Sequence, residues 1–172
     1  RLRAGDTLWT YTCCSPKHPY ANFFIDRPAV EHRLLFWQTR QYGATGFLYW
    51  CICWWDGPPT ADSGQPCFPA VPLHWADIGT YKSFKDNGDG WLLYPGPSFT
   101  PWSSIRLEVI RDGIEDYEYL ALLSKLLARA KALPPNKRPP EALCAEAEEL
   151  CRVPETISRN MGEYTADPQA IL

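Results

Sequence analysis

The 172 residues are 45% hydrophobic and 22% charged, a globular balance that excludes an intrinsically disordered chain. A formal charge of −3 and a pI near 5.6 leave no basic footprint for phosphates and argue against nucleic acid as a partner. The longest apolar run, Gly46 to Trp55, falls well short of the ~20 residues that cross a bilayer, so no membrane span is predicted.

Gly5 to Cys14 alternates and is rich in Thr and aromatics, which predicts a strand, and Ser15 to Pro19 ends it in a loop. Asp26 can cap a helix with Pro28 in its first turn. Val30, Leu34, Trp37 and Gln41 mark one face of that helix, Leu35 and Phe36 widen it, and Gly43 is the expected stop. Thr45 to Trp55 is a nearly continuous apolar run whose Tyr, Trp and Ile content favours a buried strand. From Asp56 to Phe84 there is little periodicity; a loop this long is functional or disordered, and Phe68, Trp75, Tyr81 and Phe84 argue for order.

Asn87-Gly88-Asp89-Gly90 is turn chemistry, Trp91 to Tyr94 reads as a short buried strand, and Pro95-Gly96 ends it. Ser103 or Ser104 then caps a long amphipathic helix running to Ala132. Leu107, Ile110, Ile114, Tyr117, Leu120, Leu123 and Leu127 form its apolar face, and Arg106, Arg111, Asp112, Glu115, Asp116 and Glu118 its charged one. Gly113 marks either a bend or a point where another backbone comes close. Pro134-Pro135 and Pro139-Pro140 bracket a polar break, Glu141 to Arg152 forms a last short helix, and Pro154 to Leu172 reads as a polar, frayed tail.

This order of elements is an α/β alternation, which implies parallel strands joined by crossovers. Three strands make an incomplete sheet with an uncovered edge, so the expected fold is the C-terminal part of a (β/α)8 barrel of the TIM type, with covering helices, over residues 1–133. Residues 134–172 then form a helical extension. Sites in such barrels lie at the C-terminal strand ends, which here carry Trp9, Tyr11, Tyr49, Trp50, Trp54, Trp55, Asp56 and Tyr94.

Eight Trp, nine Tyr and seven Phe give those ends a function, since rigid aromatic faces stack on the apolar faces of sugar rings at little entropic cost. Phe47, Trp37 and Trp91 are assigned to core packing. Trp9 with Tyr11 and Tyr49 with Trp50 are balanced between site wall and interior, because alternation turns only one of each pair inward. Tyr49 and Tyr94 can offer hydroxyls, and Asp56 can accept from sugar hydroxyls or cap a turn. Arg106 and Arg111 with Asp112 are expected to hold the long helix to the sheet. The seven cysteines read as buried free thiols rather than a disulfide framework. His18, His32 and His74 are scattered and form no metal triad.

The succession Asn22-Phe23-Phe24-Ile25-Asp26, Arg33 with Trp37, Tyr42-Gly43-Ala44-Thr45-Gly46, Leu48-Tyr49-Trp50, Gly88-Asp89-Gly90, Leu93-Tyr94-Pro95-Gly96, Ser104-Ile105-Arg106 and Arg111 to Tyr119 resembles the C-terminal half of the glycoside hydrolase family 123 catalytic domain. The likeness runs from about Leu8 to Leu123, with several motifs in the family's order. It implies a barrel hydrolase that removes β-linked N-acetylgalactosamine from glycans such as glycolipid head groups, without a cofactor. It also implies a substrate-assisted route, in which the sugar's 2-acetamido oxygen attacks the anomeric carbon while an adjacent Asp and Glu orient it and supply the acid, an exception to the ordinary two-carboxylate scheme. That Asp-Glu pair belongs upstream of everything matched here and is absent. Glu115-Asp116 has the reverse order on a helix and reads as structural ion pairing, and Glu148-Glu149 as a solvated face. The expected polypeptide is therefore a fragment that supplies the aromatic wall while the N-terminal part of the same barrel supplies the acid. A noncatalytic carbohydrate-binding relative and a barrel glycosidase with another glycan specificity are the alternatives.

Overall fold

Alternation in the first strand is realised as a two-faced ribbon. In the computed structural model, which describes residue 3 and residues 5–53, 88–95 and 100–172, β1 (Trp9–Thr12) pairs in parallel with β2 (Gly46–Tyr49). The register sets Trp9 beside Gly46, Thr10 beside Phe47, Tyr11 beside Leu48 and Thr12 beside Tyr49. Because side chains alternate, Thr10, Thr12, Phe47 and Tyr49 share one face and Trp9, Tyr11 and Leu48 the other. The first face is covered by α1 (Val30–Gln41), to which Thr10 is tied through the Thr39 hydroxyl at 3.1 Å. The second leaves Trp9, Tyr11 and Leu48 at 61%, 53% and 50% exposure.

The helix starts later than the sequence suggests. Its N-cap is Ala29, without a side-chain cap, so Asp26 does not cap it; the backbone of Pro28 and Ala29 already turns to accept from Glu31 and His32. Gly43, at φ +68°, ends it as expected.

The third strand also differs. β3 (Leu93–Pro95) does not extend the parallel pair; it forms an antiparallel hairpin with β4 (Pro101–Ser103). Just before it, Trp91 bridges Cys53 in antiparallel sense, and the amides of Leu92 and Leu93 both donate to the Ile52 carbonyl. An apolar run signals burial, not direction, and direction here follows from how the Gly88–Gly90 turn returns the chain beside residues 52 and 53. The described residues are thus a mixed α/β structure with short strands.

Ser104 resolves the choice of cap for α2 (Ile105–Lys131), its hydroxyl accepting from the Leu107 amide at 3.2 Å. Gly113 is a point of close approach to α1: a Cβ there would lie 2.7 Å from the Phe36 ring and 2.9 Å from the Arg33 carbonyl oxygen. The core between these elements holds Phe23, Val30, Leu34, Phe36, Leu92 and Ile110, with Phe47, Tyr49 and Trp37 packed against it. Trp91 is 6% exposed, so all three aromatics assigned to packing do pack.

The tail is not frayed. After α3 (Glu141–Leu150), β5 (Ser158–Asn160) and β6 (Glu163–Tyr164) form a small hairpin that docks on α1. Ile157, Ser158 and Ile171 are buried. Gln38 donates to Ser158 at 3.3 Å, and Gln41 to the Ser158 carbonyl at 2.7 Å. Few apolar residues suffice because the polar ones face polar positions of α1.

Candidate functional site

The C-terminal end of β2 meets the Gly88–Gly90 turn around one carboxylate. Gly88 and Gly90, at φ +76° and +77°, give the turn a backbone that L side chains adopt with difficulty, and this swings Asp89 inward to 4% exposure. Its Oδ1 accepts from the Tyr49 hydroxyl at 2.8 Å and the Trp50 indole at 2.9 Å. The Gly90 amide in turn donates to the Tyr49 oxygen at 2.6 Å. Burial pushes the Tyr49 phenol far above its ordinary value, so it stays protonated and donates.

Arg106, projecting from the first turn of α2 and 4% exposed, braces the other side of this turn. Its guanidinium donates to the carbonyls of Phe23 at 2.6 Å and Gly88 at 2.9 Å, to the Trp91 carbonyl, and to the Tyr94 hydroxyl at 3.3 Å. Two separate segments, at Phe23 and at 88–94, are thereby tied to one planar cation, a role suited to arginine's fixed fork of donors. Arg106 does hold the helix in place, through carbonyls rather than carboxylates. Among the described residues Arg111 does not: it is 61% exposed and pairs with Glu108, Asp112 and Glu115 of its own helix. The tie between helices comes instead from Asp116, which accepts from Arg33 Nε at 2.5 Å, Arg33 Nη2 at 2.8 Å and the Trp37 indole at 2.7 Å. That hydrogen bond above all raises the Arg33 pKa. Asp116 is therefore a structural carboxylate, as its helical position suggested.

Of the residues the sequence nominated, the structure brings Tyr49, Trp50 and Tyr94 together around Asp89 and Arg106. Tyr11 lies within electrostatic reach: its phenol is raised first by a hydrogen bond with Cys13 and, among smaller causes, by the Asp89 charge. Trp9 does not join them, because it opens β1 and lies across Gly46 at the opposite end of the strand. Trp54 and Asp56 lie outside the described residues. Asp89 and Arg106 are the residues that sequence reasoning did not place in the site. Asp89 was legible only as a turn former, although it is the one carboxylate between Gly88 and Leu107.

A cavity of about 320 Å³ lies between β1 and α1, lined by Tyr11 of the nominated residues and by Thr10, Thr12, Leu35, Phe47 and Met161 among others. It has no charged lining residue and lies on the helix side of the ribbon, so the polar chemistry of the Asp89 cluster outweighs it as a site. None of the six described cysteines forms a disulfide, and Cys14 and Cys53 are exposed rather than buried.

No curated protein matches this sequence. The family model described as "Glycoside hydrolase 123, catalytic domain" matches residues 1–123, a stretch that includes β1 to β4, α1, the Asp89 turn and Arg106. The chain belongs to glycoside hydrolase family 123, and its substrate class is carbohydrate.

Proposed function

We propose that this chain supplies one wall of the sugar site of a retaining, substrate-assisted β-N-acetylgalactosaminidase. In this reading residues 1–133 are the C-terminal portion of a (β/α)8 barrel and residues 134–172 an extension packed on it. The observation that carries the proposal is the convergence of Tyr49, Trp50 and Tyr94 on a buried carboxylate and a buried guanidinium at the end of β2, inside the family-matched region. Aromatic faces beside fixed polar groups are what recognition of a sugar needs, the faces for its C–H surfaces and the polar groups for orientation. The parallel β1–β2 pair with α1 across one face supports the barrel assignment, and Tyr11, whose phenol the Asp89 charge reaches, belongs to the same wall.

No Asp stands directly before a Glu in the 172 residues, so the pair that orients the acetamido group and protonates the leaving oxygen comes from the N-terminal part of the same barrel. Residues 1–172 alone are expected not to hydrolyse an aryl 2-acetamido-2-deoxy-β-galactoside. Turnover by this chain alone sinks the reading of a missing pair. The same observation favours a second reading, a noncatalytic carbohydrate-binding relative. An Asp-Glu pair after a predicted strand, encoded ahead of Arg1, supports the first; its absence there supports the second. Equal binding of galactosides with and without the 2-acetamido group points to a glycosidase of different specificity.

A further inference from the structure

Asp89 carries more than a turn requires. The two positive-φ glycines already set the backbone, and a third glycine would serve the turn as well. Yet a carboxylate stands there, 4% exposed, with both side-chain donors converging on Oδ1 and Oδ2 left without a hydrogen-bond partner among the described residues. A half-satisfied buried carboxylate lowers stability, and such groups persist where the surrounding structure has a use for them.

The use follows from what Oδ1 holds. An indole at a strand end can rotate about its side-chain torsions unless its N–H is anchored, and the phenol of the preceding residue faces the same choice. One oxygen fixes both. The anchor itself is rigid, because Arg106 grips the carbonyls of Gly88 and Trp91 on either side of the turn, and the Gly90 amide closes the ring back onto the Tyr49 oxygen.

We propose that Asp89 is a positioning residue of the carbohydrate site, locking the Trp50 indole and the Tyr49 phenol in one orientation so that a sugar ring meets a preorganised aromatic platform. Preorganisation strengthens binding by removing the ordering that would otherwise oppose it. The inference rests on the reading that Trp50 belongs to the sugar wall, and the test separates the two.

Indole ¹⁵N NMR of residues 1–172 provides it. Without sugar, the Trp50 indole proton exchanges with solvent at least about tenfold more slowly than those of Trp9 and Trp102, which are 61% and 59% exposed. Asp89→Leu removes the acceptor and speeds Trp50 exchange about tenfold or more; Asp89→Asn, which keeps Oδ1, changes it by less than about threefold. Trp50 exchange as fast as that of Trp9 in the parent, or unaltered in a folded Asp89→Leu protein, overturns the proposal. If Asp89→Leu does not fold, the parent comparison and Asp89→Asn decide it. With methyl 2-acetamido-2-deoxy-β-galactoside as the probe, Asp89→Leu weakens the Kd at least about fivefold while Asp89→Asn stays near the parent. Equal binding by parent and Asp89→Leu overturns the proposal. A parent that binds no glycoside removes the carbohydrate part, and slow Trp50 exchange in that same protein traces the failure to the sugar-wall reading.

Discussion

Arg106 is buried, and its hydrogen bonds among the described residues go to three carbonyls and a phenol. Removing the cation leaves those buried acceptors without donors, which is the expensive way to lose a hydrogen bond. Arg106→Met is expected to lower stability by at least about 3 kcal/mol in urea unfolding. Arg106→Lys recovers only part of this, because an ammonium cannot reach all four acceptors.

His32, on α1, titrates in the acid range for a different reason. Burial holds its pKa down, from 6.5 to about 4, with the nearby Arg106 charge acting in the same direction, while a backbone hydrogen bond to Phe24 opposes them. The unfolded state therefore binds more protons than the folded state between pH 6.5 and 4, and stability falls as pH falls through that window. The contribution is fully present above pH 6.5, and its loss on reaching pH 4 is on the order of 3 kcal/mol. Urea midpoints measured from pH 7 to 4 should show this slope, flattened in His32→Gln; parallel slopes would remove His32 as the cause.

The contact between α1 and α2 depends on the absence of a side chain at Gly113. A methyl there would meet the Arg33 carbonyl oxygen, which is backbone and cannot rotate away. Gly113→Ala, which raises helix propensity by about 1 kcal/mol, is therefore expected to destabilise by roughly 1–3 kcal/mol. A thermal midpoint unchanged or raised by this substitution would show that the helices can separate freely. One turn further along, Asp116 gathers Arg33 and Trp37 in a partly buried, two-pronged pair. A double-mutant cycle across Arg33→Met and Asp116→Asn should give a coupling of about 1–3 kcal/mol, well above the value for exposed pairs such as Arg111 with Glu115.

On the scale of the whole molecule, the C-terminal hairpin and the open face of the ribbon pull in opposite directions. The tail closes the far side of α1: Tyr164 donates to the buried Glu31 at 3.0 Å, and burial pushes the Tyr164 phenol well above its ordinary value. Deleting residues 154–172 exposes the surface that Ile157 and Ile171 cover and strips Gln38 of its partners. Stability should fall by at least about 3 kcal/mol. The opposite face, with Trp9, Tyr11 and Leu48, is half open, and β1 pairs only with β2 among the described residues. Exposed apolar strands seek partners, so sedimentation velocity should find self-association that rises with concentration. A strictly monomeric protein with a cooperative thermal transition would count against the half-barrel reading.

Local chemistry controls several elements directly. β1 and β2, the Gly43 stop, a serine cap at 103 or 104 and the length of α2 follow from alternation, turn residues and 3.6-residue periodicity, which act over a few residues. The motif order from Asn22 to Tyr119 also made the family legible before any coordinates. Only the packing of distant segments settled which way β3 runs, that the tail packs on α1, and that Asp89 and Arg106 lie buried beside Tyr49, Trp50 and Tyr94 while Trp9 stands at the other end of its strand. These are contacts between residues far apart in the chain. A carboxylate in a turn and an arginine in an amphipathic helix look solvated until the fold buries them against tyrosine, tryptophan and backbone carbonyls.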